Sequence, residues 1–397
     1  MSNITFCWEL GRGYGHLAGF KPLAEVLLNK NHKITALLRD VGDVHKFLEK
    51  IPVSYFPAPK WQATRKYTAP TINYADIISR CGYDSKESLL PLVQQWRKRF
   101  RDCGTELVIA DHSPTALLAA RTLNLPATLF GAGFFSPPLE YPMPSLTPWL
   151  DTQPFFLKDI ENNVLDVINR VLCQFDAPRL DYLYQLFEVD ENFLCTVPEL
   201  DHYDKRSPGA FWGPQFDMHN GVAAYWPENR KKNIFVYTMH NYAFLQRLLM
   251  SLGKVDANFL VHCVGMDEEA ENQYTQKNIR FSAEPIQLQS IENRADLVIC
   301  HAGHGTVAAS LLMGIPLLSL PTQLEQLLLA NRLSALKLSG VINIRDEQVD
   351  FAQSITSVLN NDECRQRVRM FASHYADFDQ KKQLEDIALA CEEILLR

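Results

Sequence analysis

Apolar and polar positions alternate along this chain in a repeating order of strand-like and helix-like stretches. Residues 4–8 form a continuous apolar, β-prone run, followed by the glycine-rich stretch Gly11-Arg12-Gly13-Tyr14-Gly15. From His16 to Asn29 the apolar residues Leu17, Phe20, Leu23, Ala24 and Leu27 recur at helical spacing, and residues 33–38 read as the next strand. This strand–helix–strand unit of about 35 residues is the size that a parallel crossover requires. Residues 107–110 are again apolar and end in Asp111. Ser113-Pro114 then supplies an N-cap and a first-turn proline for a helix running to about residue 124. Pro126 precedes a further strand at 127–130. Runs that are apolar on both faces predict a parallel sheet covered by helices on both sides.

The second half repeats the order. Strands are predicted at 234–237, 259–264, 297–300 and 315–320, with helical spacing near 242–252, 306–313 and 325–338. Between the halves, residues 209–232 are rich in Gly, Pro and aromatics and are read as a linker. The predicted fold class is α/β. It consists of an N-terminal Rossmann-like domain over 1–208, a second over 233–370, and a helical tail over 371–397 that can pack back on the first. Ligands of doubly wound sheets lie beyond the carboxyl ends of the strands, and a cleft between two such domains is the expected site.

Length and composition narrow the picture. The chain has 397 residues, which suits two domains. Hydrophobic residues make up 47% and charged residues 21%, which excludes disorder as a main theme. A formal net charge of -7 argues against nucleic-acid partners, because phosphate contacts need a basic surface. The N-terminus shows no basic region followed by a long apolar one, so no signal peptide is expected. No apolar stretch reaches the ~18 residues of a membrane span. The nine cysteines are scattered without a CxxC pair and read as free thiols in a reducing cytoplasm.

The first candidate chemistry lies after the first strand. Gly11-x-Gly13 lacks the third glycine of a dinucleotide fingerprint, because position 16 is histidine, so a nicotinamide cofactor is not expected even with Asp40 after the second strand. The loop containing Gly13 and Gly15 instead holds His16 at a helix start, where an oriented imidazole can act as a general base near neutral pH. Asp111 ends a strand on the same sheet edge and is a candidate partner. Helix capping by His16 and a turn role for Asp111 are the structural alternatives. His112 competes as partner or base, but on an extended backbone its side chain should point away from that of Asp111.

The second candidate site spans residues 295–333. A strand ends at Cys300, Gly303 and Gly305 permit a tight loop, and Thr306 opens a helix. The helix start makes an anion site at which His301, Gly303, His304, Gly305 and Thr306 can hold a diphosphate. Glu325-Gln326, at the next loop-to-helix junction, can grip sugar hydroxyls. Helix capping is the plainer reading. A metal site is not expected, because His301 and His304 lack an evident third ligand.

This stretch resembles the donor-binding signature of the family 1 glycosyltransferases. That superfamily holds the UDP-glucuronosyltransferases, the plant secondary-metabolite glucosyltransferases and the macrolide glycosyltransferases. The residues that carry the resemblance are His301, Gly303, Thr306, Gly314, Pro316, Pro321, Glu325, Gln326 and Asn331. The Gly15-His16 pair and Asp111 match the family's base and its orienting carboxylate. The resemblance covers most of the chain in outline and these segments specifically.

It implies a two-lobed GT-B fold, with the acceptor bound by the N-terminal lobe and a nucleotide-sugar by the C-terminal lobe. The implied reaction is an inverting, metal-independent transfer of a hexosyl group from a UDP- or dTDP-sugar to a hydroxyl of a small-molecule, lipid or glycan acceptor. His16 would be the base and Asp111 its partner. No cofactor beyond the co-substrate is implied. A nucleotide-sugar epimerase and a non-catalytic nucleotide-sugar-binding protein are the alternatives. Thr238-Met239-His240 stands where the family often has a Gly-Ser turn, so the phosphate contact there is either lost or passes to His240. Asp377-Phe378-Asp379 resembles an Asp-x-Asp metal motif but falls in a stretch read as helical, as a solvated face. The aromatic and proline-rich runs at 130–138 and 141–144 read either as the lining of an apolar acceptor cleft or as a rigid loop packed on the core, and Trp61, Tyr67, Tyr74 and Trp96 lie where acceptor loops vary.

Overall fold

The computed structural model describes the chain except residues 12, 14, 43, 50, 63–66, 151, 204–205, 207–209 and 344–347, and the side chains of 46 and 47. The chain forms two compact units. The first comprises Met1–Val197, Tyr203–Gln215 and Asp379–Arg397; the second comprises Pro198–His202 and Phe216–Phe378.

The first unit is built on six parallel strands: β1 (Asn3–Trp8), β2 (Lys33–Leu38), β3 (Ser54–Pro57), β4 (Leu107–Asp111), β5 (Ala127–Gly131) and β6 (Glu191–Leu194), in the order β3-β2-β1-β4-β5-β6. Its helices are α1 (Gly15–Asn29), α2 (His45–Leu48), α3 (Tyr74–Ile78), α4 (Lys86–Cys103), α5 (Pro114–Leu123) and α6 (Pro154–Leu172). Strand residues alternate between two cores, as the pleat demands. Ile4 and Phe6 pack with Leu17, Phe20, Leu23 and Leu27 of α1, while Cys7, Val108 and Ala110 pack with the α4 and α5 side. Trp96 and Tyr74 lie in this second core, 0% and 1% exposed, rather than on a variable acceptor loop. The long amphipathic α4 is capped by Ser85, which accepts from Ser88 N, and ends on Gly104 in the left-handed region.

The second unit repeats the design. Its strands are β7 (Lys232–Met239), β8 (Ala257–Val264), β9 (Ile279–Phe281), β10 (Leu297–Cys300), β11 (Leu317–Ser319) and β12 (Ser339–Val341), all parallel, in the order β12-β11-β10-β7-β8-β9. Helices α7 (Leu245–Leu252), α8 (Glu268–Tyr274), α9 (His304–Leu312), α10 (Leu324–Ala335), α11 (Phe351–Leu359) and α12 (Asp362–His374) complete it. The final helix, α13 (Gln380–Leu395), belongs to the first unit. Its Leu384, Ile387, Ala388, Cys391 and Ile394 join the core that α1 covers.

In both sheets the strand order reverses once, between β1 and β4 and between β7 and β10. Such switch points open a crevice at the carboxyl edge, and ligands of doubly wound folds bind there.

Two boundaries differ from the sequence reading. The stretch read as a linker is shared between the units. Trp212 N and Gly213 N donate to Leu194 O and Thr196 O in the first. Val222 N donates to Pro285 O, and Gln287 N to Val222 O, in the second. These backbone groups are thus paired within the units rather than left to solvent. The tail boundary at 370/371 cuts α12, and the chain changes unit after Phe378. The Asp377-Phe378-Asp379 triplet lies in this turn and not within a helix. Asp379 caps α13, its side chain accepting from Lys381 N and Lys382 N.

Ile387 of α13 is fully buried in the core that α1 covers. Ile387→Ala should destabilise the first unit by about 2–5 kcal/mol through the cavity it leaves, read as a lower midpoint in urea denaturation. An unchanged midpoint would show that α13 contributes little.

Candidate functional site

The first switch point brings His16 and Asp111 together. Parallel pairing sets Trp8 opposite Asp111 at the ends of β1 and β4. The chain then loops through the glycine stretch and presents His16 as the second residue of α1. His16 Nδ1 lies 2.9 Å from Asp111 Oδ2, with the ring N–H donating to the carboxylate. The side chains are only 8% and 4% exposed, so little water competes with the contact. The imidazole is held between aromatic faces. Trp8 stacks on it at 4.9 Å between ring centres, and Phe135, from the segment after β5, lies at 5.1 Å.

Gly11 has φ +82°, and a Cβ there would fall 2.9 Å from His16 Nε2. Glycine adopts this backbone without strain and brings no side chain against that nitrogen. Gly13 is exposed, Gly15 opens α1, and space is open beside both. Arg12 and Tyr14 lie outside the described residues.

His112 departs from expectation. It sits in the left-handed region, φ +48°, so its ring does not point away from the pair. It stacks on Phe135 at 4.7 Å and lies 6.4 Å from the His16 ring. Burial, with His16 and Arg39 nearby, lowers its pKa well below 6.5. A neutral ring with neither nitrogen bonded is not the partner of Asp111.

Sequence reasoning overlooked Glu9, the residue after β1. It is fully buried and accepts from Thr115 N at 2.9 Å and from the Thr115 hydroxyl at 2.6 Å. Desolvation pushes its carboxyl up to about 7 against the pull of these donors and of Arg39. The available signal was a charged residue inside an otherwise apolar strand end, which is rare unless the charge is partnered.

The second switch point supplies a different chemistry. Beyond β10, Ala302 takes φ +59° and Gly303 precedes α9 without any side-chain cap. The backbone N–H groups at this helix start therefore have no intrahelical acceptor, which is the arrangement that binds anions. His304, Gly305 and Thr306 form the first turn, and all three are half-buried.

His301 is placed otherwise than expected. Its Nδ1 donates to Leu320 O at 2.7 Å, and its Nε2 accepts from the Thr238 hydroxyl at 3.1 Å. Both ring nitrogens are used inside the fold, so the ring braces β7, β10 and β11 and has no donor left for a phosphate. Burial lowers its pKa, which keeps it neutral and preserves this pattern. His240 is exposed at the end of β7, with Nδ1 donating to Val264 O at 3.3 Å.

At the following junction Glu325 opens α10, half-buried. Gln326 Oε1 accepts from both Thr322 N and the Thr322 hydroxyl at 2.9 Å. Its carbonyl is thereby used to shape the loop, and its amide NH2 is left to donate. Among the described residues no group of three or more His, Cys, Asp or Glu side chains is gathered for a metal, and no helix is long and apolar enough to cross a membrane.

Two doubly wound α/β units in tandem are the architecture of the GT-B fold. Residues 239–386 match the family model described as "Glycosyltransferase family 28 C-terminal domain", and the chain is a glycosyltransferase of GT-B fold. It is 22% identical over 362 aligned residues to the zeaxanthin glucosyltransferase of Pantoea ananas, covering 81% of this chain and 80% of that protein. The fold superposes on that of CalG4, the calicheamicin glycosyltransferase, with a TM-score of 0.74 at 15% identity, covering 100% of this chain and 99% of the other. The glycosyltransferase SsfS6 of Streptomyces sp. SF2575, solved with thymidine diphosphate, gives a TM-score of 0.66 at 15% identity, covering 99% and 100%.

His301→Ala should act on stability. It strands the Thr238 hydroxyl and the Leu320 carbonyl, at a cost of about 1–3 kcal/mol, and should lower the thermal midpoint of the second unit. If the midpoint holds while nucleotide affinity collapses, the ring touches the ligand after all.

Acid should weaken the second unit. Burial lowers the pKa values of His262 and His301 and takes that of His304 from 6.5 to about 4. Between those values the unfolded chain binds protons that the folded unit refuses, so the contribution is complete above pH 6.5 and is lost as pH falls toward 4. Thermal melts over this range should show a declining midpoint, with a flatter slope for His304→Gln. Equal slopes would contradict the assignment.

Proposed function

We propose that the protein catalyses an inverting transfer of a hexosyl group from a UDP- or dTDP-sugar to the hydroxyl of a small-molecule, lipid or glycan acceptor. The observation that carries this reading is the buried 2.9 Å contact between His16 and Asp111 at the β1/β4 switch point. His16 Nε2 takes the proton of the acceptor hydroxyl. Nδ1–H keeps its bond to Asp111, which fixes the tautomer and stabilises the imidazolium. The acceptor oxygen forms its bond to the anomeric carbon as the bond to the diphosphate oxygen breaks on the opposite face, so the centre inverts.

The leaving diphosphate takes its stabilisation from the uncapped start of α9, at Gly303, His304, Gly305 and Thr306, and from His240. The positive end of the helix and its oriented N–H groups supply what a metal ion would otherwise provide. Glu325 accepts from sugar hydroxyls and the Gln326 amide donates to them. The relatives support this reading: one is a zeaxanthin glucosyltransferase, and others were solved with thymidine diphosphate or with spinosyn aglycone. The protein works in the cytoplasm in this reading, consistent with nine free cysteines.

The test measures nucleoside diphosphate release from UDP- and dTDP-hexoses with a panel of hydroxylated acceptors. His16→Ala should lower kcat by about 10²–10⁴-fold, and Asp111→Asn should lower it in the same direction. The affinity for nucleoside diphosphate should stay unchanged in both. A chelator should leave the rate intact, and the product anomer should be opposite to that of the donor. A rate that survives His16→Ala rules out the base, and retained anomeric configuration rules out the single displacement.

A further inference from the structure

The pair described above bridges two separate loops, and its register has to be held by something other than the pair itself. His16 follows a stretch in which Gly11 and Gly13 both take positive φ, a backbone with little stiffness of its own. Asp111 ends β4 immediately before α5. Ser113, at the N-cap position of α5, makes no side-chain cap bond. Left alone, the start of α5 would have unsatisfied N–H groups.

Glu9 fills that gap from the neighbouring strand end. Its carboxylate accepts from Thr115 N and from the Thr115 hydroxyl, so a residue of the β1 loop caps the helix that follows Asp111. The Thr115 hydroxyl also lies 3.0 Å from the hydroxyl of Tyr83. Arg39, at the end of β2, donates to Glu9 O at 2.8 Å. Leu10 N donates to His112 O at 3.0 Å, and Trp8 Nε1 donates to Leu10 O at 2.7 Å. Glu9 is thus where the ends of β1, β2 and β4 and the Tyr83 turn meet, one residue from Trp8, which stacks on His16.

We infer that Glu9 is a positioning residue for the reaction: by capping α5 from the β1 loop it holds the His16 and Asp111 loops at the spacing that lets Nδ1–H meet the carboxylate. It touches neither the ring nor the substrate. A buried carboxylate at a helix start is stabilised by the helix dipole and by charge-assisted hydrogen bonds. Burial against an otherwise apolar core makes the position costly unless those donors stay in place, so the clamp is stiff. Misplacing a catalytic group by about 1 Å is enough to cost roughly 100-fold in rate.

The rate arm of the test rests on the proposed role of His16; a spectroscopic arm does not. The low-field proton of His16 Nδ1–H, identified by its absence in His16→Ala, reports the contact with Asp111 by NMR whether or not transfer is observed. Glu9→Ala should broaden or abolish this resonance. It should also lower kcat by about 10- to 100-fold, with KM for the donor little changed. Glu9→Gln should restore both close to wild type, since its amide can accept from Thr115 N and donate to the Thr115 hydroxyl. Thr115→Val, which removes only the hydroxyl partner, should move both readouts in the same direction by less, and serves if Glu9→Ala does not fold. If the resonance and kcat survive in folded Glu9→Ala or Thr115→Val protein, Glu9 is only a helix cap. If Glu9→Gln folds but restores neither, the clamp is not what matters. If wild type transfers no sugar but the resonance is lost in Glu9→Ala, the holding of His16 against Asp111 by Glu9 stands and the proposed reaction falls.

Discussion

The parallel pairing of β1 with β4 is the constraint on which the rest of this molecule depends. It sets Trp8 beside Asp111 and makes the two loops that leave these strands diverge to opposite sides of the sheet. A crevice at that point follows from connectivity alone. Everything that gives the first unit its chemistry is gathered there: the imidazole at the start of α1, the carboxylate at the end of β4, the Trp8 and Phe135 rings that exclude water, and the Glu9 clamp beneath them. The β7–β10 pairing does the same for the second unit, with a helix start in place of a side-chain pair.

The two sites have opposite electrostatics. In the first, a carboxylate is buried beside an imidazole, where an imidazolium would be stabilised as it forms. In the second, the fold offers oriented backbone dipoles that attract negative charge and need no titration. The histidines of the second unit fit this division. His301 is kept neutral and works as a brace between strands, and His304, lowered to about 4, carries no charge near neutrality. Negative whole-chain charge is therefore compatible with an anionic ligand, because the attraction comes from a helix end within one turn of it.

Much of the fold was legible in the chain. The runs at 4–8, 107–110, 234–237, 259–264 and 297–300 are apolar on both faces, and all became central strands. The strands that escaped notice are the sheet edges and short pieces. Ser54–Pro57 is exposed along its length, and Ile279–Phe281 and Ser339–Val341 have three residues each. Their pairing comes from the neighbouring strand, not from a pattern of their own. The aromatics at Tyr74 and Trp96 looked like variable-loop residues because α3 and α4 were not recognised. Both helices bury these rings against the sheet.

Local sequence by itself determined the strand and helix alternation, the glycine loop before His16, the Asp111 strand end and the uncapped start of α9, since each depends on spacing and turn chemistry within a few residues. Tertiary structure decided the rest. It closed His16 onto Asp111 across 95 positions of chain, turned the His112 ring toward the pair through a left-handed backbone, used up both nitrogens of His301, and made Glu9 the cap of a helix that begins 105 residues later. Those outcomes depend on which atoms become neighbours once parallel strands are in register. A side chain's partners are set by that packing, and no local pattern encodes them.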